Sequence, residues 1–247
     1  MHEAAFAALG LEGWTYQRLP VPPELFEETT RALPAAGFVG ANVTIPHKQA
    51  ALAMAGTASP AARSIGAANT LSFAPGGEIE ADNTDGPGFL AALPEPATGR
   101  TALVLGAGGS ARAVVWALRE AEAKEVMIWN RTPARAQALA RDLGARVVDA
   151  AHPADLLVNC TSVGLADSAP PTLKIGPVAA DEIRGYRCVI DLVYGSTETA
   201  LVSTARGLGL SVVDGLEILV RQGALSFERW TGQAAPLDAM RHGARGR

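Results

Sequence analysis

Lysine is rare in this chain. Only Lys48, Lys124 and Lys174 occur, and arginine carries the remaining positive side-chain charge. An ammonium can shift its pKa and release a proton, which a guanidinium effectively cannot. The lysines are therefore the first positions to test for acid–base chemistry. Lys48 has the richest surroundings. It closes NVTIPHK (42–48), and polar residues gather at this and other predicted strand ends: Asn42, Thr44, Asn69, Thr70, Asn83, Thr84 and Asp85. It falls in the first turn of a helix expected after Pro46, where a cation opposes the helix dipole and calls for a nearby anion. Asp85, in NTDGPG (83–88), could supply it. A Lys–Asp pair suits reversible hydride transfer at a carbonyl. Lys48 would donate a proton to the oxygen or stabilise its developing charge. Asp85 would orient the lysine and the substrate hydroxyl. Alone, each residue reads as a surface charge; the case for a pair depends on what else the chain carries.

It also carries a phosphate-binding pattern. Gly106-Ala107-Gly108-Gly109-Ser110-Ala111 fits G-x-G-x-x-A, directly after the apolar run LVL and directly before a predicted helix. In that setting Gly106 permits the tight turn. Gly108 lets the backbone approach a pyrophosphate, which the helix N-terminus binds, and Ala111 keeps helix and sheet close. The next strand ends in Asn130-Arg131-Thr132, with Arg135 beyond. A carboxylate here would bind the ribose 2′-hydroxyl of NAD(H) and repel a 2′-phosphate, whereas a guanidinium attracts the phosphate. Two arginines at a helix start oppose its dipole unless an anion joins them. The expected cofactor is NADP(H).

The elements that must position these residues follow from pattern. In the first half, helices are expected at the N-terminus and over 22–37, 46–56, 59–66 and 85–95. Strands are expected over 14–21 and 38–45, with a strand pair at 67–74 and 78–85 around Pro-Gly-Gly. The second half reads as strands 101–109, 125–132, 145–150, 155–165, 188–195 and 210–215, with helices 110–121, 133–144 and 197–209. A strongly apolar helix covers 216–232. The tail RHGARGR (241–247) reads as disordered. Alternating strands and helices imply parallel sheets with helices on both faces. The fold class is α/β, with two α/β domains and a cleft between them.

Taken together, NVTIPHK, AANT, NTDGPG, GAGGSARA, NRTPARA, DLVYG and DGLEILVRQGALSFERWTG resemble shikimate dehydrogenases, in that family's order and spacing from Met1 to about Gly232. The resemblance implies NADP-linked interconversion of 3-dehydroshikimate and shikimate, in chorismate and aromatic amino acid biosynthesis. It implies Lys48 and Asp85 as the catalytic pair. It places Thr44, Asn69, Tyr194 and Gln222 on the substrate with them, and Gly106 to Ser110, Asn130 to Arg135, Leu192 and Gly215 on NADP. It implies a substrate domain over 1–85 and 220–247 and a Rossmann-type NADP domain over 86–219, with the last helices returning to the substrate domain. The family begins with a strand and a Ser-x-Ser loop that binds the substrate carboxylate; Met1-His2 matches the end of the turn that follows. The expectation is that the natural product starts upstream or that this version is impaired. A quinate or aminoshikimate dehydrogenase, and a non-catalytic NADP(H)-binding protein, are the other readings.

Bulk properties exclude several classes. The 247 residues are 48% hydrophobic and carry a formal net charge of −4, which gives no reason to expect nucleic acid or an anionic membrane. No run approaches a membrane span, and the N-terminus lacks the pattern of a signal peptide. Cys160 and Cys188 have no metal-ligand spacing and sit in apolar strands, so a reducing, cytoplasmic compartment and inert thiols are expected. The four histidines form no metal constellation. His47 could face the cleft or lie on a helix surface. Trp14, Tyr16 and Phe26 read as packing. Thr161 and Ser162 read as cofactor neighbours or as a capped turn. Monomer and homodimer are both open.

Overall fold

The strand pair around Pro75-Gly76-Gly77 forms as a hairpin in the computed structural model, which describes residues 1–163, 174–195 and 197–246. Gly77 takes φ 82°, the left-handed value that this turn needs and that glycine adopts without strain. The hairpin belongs to the first of two compact units, Met1–Gly88 with Val220–Arg247; the second is Phe89–Leu219.

In the first unit the strands are β1 (Gly40–Asn42), β2 (Thr57–Ala58), β3 (Thr70–Phe73) and β4 (Ile79–Asp82), in the order β1-β3-β4-β2. The helices are α1 (His2–Ala8), α2 (Phe26–Ala32), α3 (Lys48–Met54), α4 (Pro60–Ile65) and the start of α5 (Asp85–Ala92). Phe26, Val43, Ala51, Ala68, Leu71, Ile79 and Ala81 form the core beneath them. The sheet is not parallel, as the alternation of elements suggested. β3 runs antiparallel to both β1 and β4, and only β2 and β4 are parallel. A turn as short as Pro-Gly-Gly can join only antiparallel neighbours.

Other expectations fail for identifiable reasons. Residues 14–21 form no strand: the Tyr16 N–H donates to the Glu3 carboxylate, and Pro20 has no N–H to offer a ladder. The helix expected over 22–37 breaks into a 3₁₀ turn at Pro23–Leu25, helix α2, and a second 3₁₀ turn at Pro34–Ala36, because Pro34 cannot continue the hydrogen-bond ladder. Pro46 does not open its helix. The Ile45–Pro46 peptide is cis, His47 caps, and α3 starts at Lys48. Asp85 does not end a strand but is the first residue of α5.

The second unit holds β5 (Thr101–Leu105), β6 (Glu125–Trp129), β7 (Arg146–Val147), β8 (Leu156–Asn159), the small hairpin β9 (Lys174–Ile175) and β10 (Val178–Ala179), β11 (Cys188–Asp191) and β12 (Ser211–Val213). Its main sheet has six strands in the order β12-β11-β8-β5-β6-β7, all parallel. This is the doubly wound order, with its switch point between β5 and β8. Helices α6 (Gly109–Glu120), α7 (Pro133–Leu143) and α8 (Ala200–Gly207) connect the strands. Leu103, Val104 and Leu105 are wholly buried because both faces of the sheet are covered. Each such side chain contributes about 1.5–3 kcal/mol of transfer free energy. The strand expected over 155–165 ends at Asn159, and its residues 164 and 165 lie outside those described.

Helix α9 (Gly215–Thr231) runs from the second unit back into the first, and α10 (Leu237–Arg245) follows it. The tail is thus helical through Arg245, not disordered. Met240 and Ala244, one turn apart, are buried, and Gly243 lies close against Met1 and Ala4 of the N-terminal segment. That packing orders a Gly/Arg-rich stretch that composition alone would leave free; Arg247 lies outside the described residues.

Candidate active site

Register brings the polar residues of the first unit together. Asn42 pairs with Thr70, and Thr70 with Asp82. The carboxyl ends of β1 and β4 and the amino end of β3 therefore share one edge of the sheet. Just beyond that edge, Val43 N–H donates to the Asn69 carbonyl at 2.7 Å and Asn69 N–H to the Asp82 carbonyl at 3.1 Å. Lys48 is placed from the other side, its carbonyl accepting from Ala68 N–H at 2.8 Å. NVTIPHK, AANT and NTDGPG thus converge although other elements separate them along the chain.

At the centre, Lys48 Nζ donates to Asp85 Oδ2 at 2.6 Å, with side-chain exposures of 10% and 18%. The ion pair offsets a cation at the start of α3 and an ammonium in a largely buried place. Asp85 itself is well placed at the start of α5, where a carboxylate is favoured. The turn before it is held by Asn83, whose Oδ1 accepts from Asp85 N–H at 3.1 Å and whose Nδ2 donates to the Ala67 carbonyl at 2.9 Å. Asp85 Oδ1 accepts from Asn69 Nδ2 at 2.9 Å. The same amide donates toward Gln222 Oε1 at 3.1 Å. Its orientation is set from behind: Asn69 Oδ1 accepts from Thr84 N–H at 2.7 Å and from the Thr70 hydroxyl at 3.1 Å. A flipped amide would aim an NH₂ at Thr84 N–H and an oxygen at a carboxylate.

Gln222 reaches this network because α9 packs tightly on α5. A Cβ on Gly88 would lie 2.7 Å from the Gln222 backbone, so only glycine allows that approach. The far end of α9 is anchored to the sheet: Trp230 Nε1 donates to the Leu71 carbonyl at 3.0 Å, and Arg229 pairs with Asp82 at 3.0 Å and Glu80 at 3.1 Å. Ser226 on the same helix accepts from Asn42 Nδ2 at 3.1 Å, and Asn42 Oδ1 accepts from the Tyr16 hydroxyl at 3.1 Å.

The remaining predicted residues of this half are placed differently. Thr44 is exposed, and its carbonyl accepts from His47 N–H at 2.9 Å. His47 has a packing role: its ring stacks on Phe26 at 4.5 Å and its Nε2 bonds the Val21 carbonyl at 2.9 Å. Tyr194 and Leu192 belong to the second unit, on the segment after β11, and Tyr194 is half exposed.

In the second unit the glycine turn sits at the switch point. Gly106 has φ 116°, and a Cβ there would meet the Cys160 carbonyl at 3.0 Å. Gly108 caps α6 without a side-chain bond, and Ala107, Gly109 and Ser110 complete the turn into the helix. Asn130 follows β6, its Nδ2 donating to the Thr132 carbonyl at 2.9 Å, and Thr132 caps α7. Arg131 and Arg135 are exposed, and their side chains make no ion pair or hydrogen bond with a described residue. They stand at the start of α7, where backbone N–H groups already favour an anion. Gly215 opens α9, and a Cβ on it would lie 2.5 Å from the Val193 carbonyl. Thr161 forms a capped turn on Asn159, its hydroxyl donating to Oδ1 at 2.7 Å, and Ser162 is exposed beside it. Cys160 is half-buried and Cys188 buried, and burial pushes the Cys188 thiol up.

One buried carboxylate was not singled out by sequence reading. Asp191 ends β11 with no exposure and accepts from Asn159 Nδ2 at 2.9 Å, Val193 N–H at 3.1 Å and the Thr199 hydroxyl at 2.6 Å. Burial pushes its carboxyl above the ordinary value, against the pull of these donors. The signal was present: an acid closing an apolar strand, CVID, is rarely buried without a partner. Among the described residues no group of His, Cys, Asp and Glu could hold a metal, and no helix is long and apolar enough to cross a membrane.

Fold and site define a class: a two-domain α/β protein with a doubly wound dinucleotide-binding unit and, in the same chain, a buried Lys–Asp pair. Comparison with known proteins narrows it. Residues 1–71 match the shikimate dehydrogenase substrate binding domain, 92–164 the shikimate/quinate 5-dehydrogenase model, and 215–242 the shikimate 5′-dehydrogenase C-terminal domain. The chain is 48% identical to the NADP(+) shikimate dehydrogenase of Methylobacterium radiotolerans, over 94% of this chain and 86% of that one. The Thermus thermophilus shikimate 5-dehydrogenase, solved in complex with NADP(H) and shikimate, is 43% identical with a TM-score of 0.87, covering 99% of this chain and 92% of that one. A 5-ketofructose reductase from Gluconobacter is 30% identical with a TM-score of 0.83, covering 98% and 90%. The chain belongs to the shikimate dehydrogenase family.

Proposed function

We propose that this protein catalyses the reversible NADP-dependent reduction of 3-dehydroshikimate to shikimate, a step of aromatic amino acid biosynthesis, in the cytoplasm. The Lys48–Asp85 ion pair at 2.6 Å carries the reading. In the reducing direction the Lys48 ammonium, held against Asp85 Oδ2, donates a proton to the carbonyl oxygen or stabilises its charge. In the oxidising direction Lys48 receives the hydroxyl proton. Asp85, Asn69 and Gln222 bind and orient the ring hydroxyls, with Thr44 and Tyr194 as further substrate residues.

The second unit fits NADP. Its glycine turn leaves the start of α6 open to a pyrophosphate, and the end of β6 offers arginine where a carboxylate would exclude a 2′-phosphate. Gly106, Ala107, Gly108, Gly109, Ser110, Asn130, Arg131, Thr132, Arg135, Leu192 and Gly215 are the residues assigned to hold it. When bound, the nicotinamide supplies or accepts the hydride. The domain assignment follows: 1–85 with 220–247 for substrate, 86–219 for cofactor.

The test is shikimate-dependent NADP+ reduction, with quinate as the competing substrate. Wild-type protein should reduce NADP+ with shikimate, and Lys48→Ala should lower kcat by about 10²–10⁴-fold, the usual range for a lost proton-transfer group. NADP+ binding measured by nucleotide fluorescence should be unchanged. Turnover unaffected by the substitution would reject the role of Lys48. NADP+ binding with no turnover in wild type would leave only a binding protein.

A further inference from the structure

Asp191 stands outside the chemistry assigned above, yet its contacts concentrate on segments flanking the switch point. Three features define its position. Its Oδ1 joins two strand ends, accepting from Asn159 at the end of β8 and from Val193 N–H just beyond β11. Its Oδ2 takes the Thr199 hydroxyl, and Thr199 is the residue that caps α8, accepting from Val202 N–H at 3.3 Å. Asn159 in turn holds Thr161 through both its N–H and its hydroxyl, at 3.1 and 2.7 Å. One carboxylate therefore ties residues 159–161, 191–193 and 199 together.

Those segments border the cofactor residues directly. The Cys160 carbonyl is the group that a side chain at Gly106 would strike. The Val193 carbonyl is the group that a side chain at Gly215 would strike. Both glycines are positions where backbone must come close, so the placement of residues 160 and 193 limits where the glycine turn and the start of α9 can sit. A carboxylate is suited to such a junction because it is acceptor-only when ionised and can receive donors from three segments at once. A buried charge of this kind persists only where its lone pairs are used.

We infer that Asp191 is a positioning residue for NADP binding, acting through the backbone of residues 159–161 and 191–193. This rests on the cofactor reading of the second unit. Asp191→Asn keeps an Oδ1 that accepts from Asn159 and Val193, and its new NH₂ can donate to the Thr199 oxygen. Asp191→Ala removes all three bonds. Thr199→Val removes only the hydroxyl arm, and Thr199→Ser restores it.

The experiment measures NADP+ dissociation constants by nucleotide fluorescence, KM for NADP+ and shikimate, kcat, and thermal midpoints for each form. Asp191→Ala should raise the NADP+ Kd and KM about tenfold, with kcat at saturation changed by less than about threefold, since the lost bonds act on placement and not on proton transfer. Asp191→Asn should stay within about threefold of wild type. If Asp191→Ala does not yield folded protein, Thr199→Val decides: a severalfold rise in NADP+ KM that Thr199→Ser reverses supports the inference, and wild-type KM overturns it. Equal loss of cofactor affinity in Asp191→Asn and Asp191→Ala also overturns it, as does wild-type affinity in Asp191→Ala. Wild-type protein that binds no NADP+ would instead reject the cofactor reading itself.

Discussion

The two units hold their proposed functional residues in opposite ways. In the first, Lys48, Asp85, Asn69, Thr84 and Gln222 form a connected set of side-chain bonds, each residue oriented by another. In the second, the proposed binding positions are mostly backbone: a glycine turn, two helix starts and two exposed arginines. The difference follows from the chemistry. Proton transfer needs an ammonium and a carboxylate held to within tenths of an ångström, which requires side chains locked by neighbours. Binding phosphates needs open N–H groups and flexible charge, which a close-packed network would obstruct.

That contrast can be broken from either side. After Lys48→Ala, the largest effect is expected for Arg131→Glu. It should raise the NADP+ KM about 10–100-fold, the worth of a charge-assisted phosphate contact, leave kcat with saturating cofactor nearly unchanged, and leave NAD+-linked activity unchanged or raised, since a carboxylate there can bind the 2′-hydroxyl. Comparable loss with NAD+ would show that Arg131 does more than recognise a 2′-phosphate. Gly88→Ala attacks the first unit through packing. Its Cβ would force α5 and α9 apart at Gln222, costing about 1–3 kcal/mol of stability. The KM for shikimate should rise severalfold while the NADP+ Kd stays constant; an unchanged shikimate KM would show that Gln222 tolerates displacement.

The smallest effect concerns the buried acid of the second unit. Burial holds the Asp191 carboxyl above its ordinary value of 3.8, so the folded chain keeps a proton there that the unfolded chain releases. That holds only in the acid range: this group's contribution is full below pH 3.8 and falls as pH rises through its native value, above which the carboxylate is ionised in the fold. Asp191→Asn removes that dependence. The thermal midpoint of the variant relative to wild type should therefore climb as pH increases from about 4 to 7. A difference that stays flat over that range would show that the three donors compensate the buried charge fully.

Sequence by itself settled what depends on local chemistry. The glycine turn was legible because β5 and α6 flank it and only certain residues fit a close backbone approach. The role proposed for the arginines at 131 and 135 rests on charge sign, which separates a 2′-phosphate from a 2′-hydroxyl. The hairpin at Pro75-Gly76-Gly77 was legible because its turn chemistry is local. Tertiary structure decided the rest. Only the antiparallel register of β3 brings Asn69 and Thr70, at a strand's start, to the edge where β1 and β4 end. The amide bridge from Asn69 to Asp85 and Gln222 joins residues up to 153 positions apart, and no local pattern encodes it. Residues 14–21 had strand-like composition but form no ladder, because a strand exists only through its partner. The tail is ordered by contact with the N-terminal segment. Lys48 and Asp85 could be named from residue type and context, but their 2.6 Å contact comes from long-range packing, which brings together groups 37 residues apart.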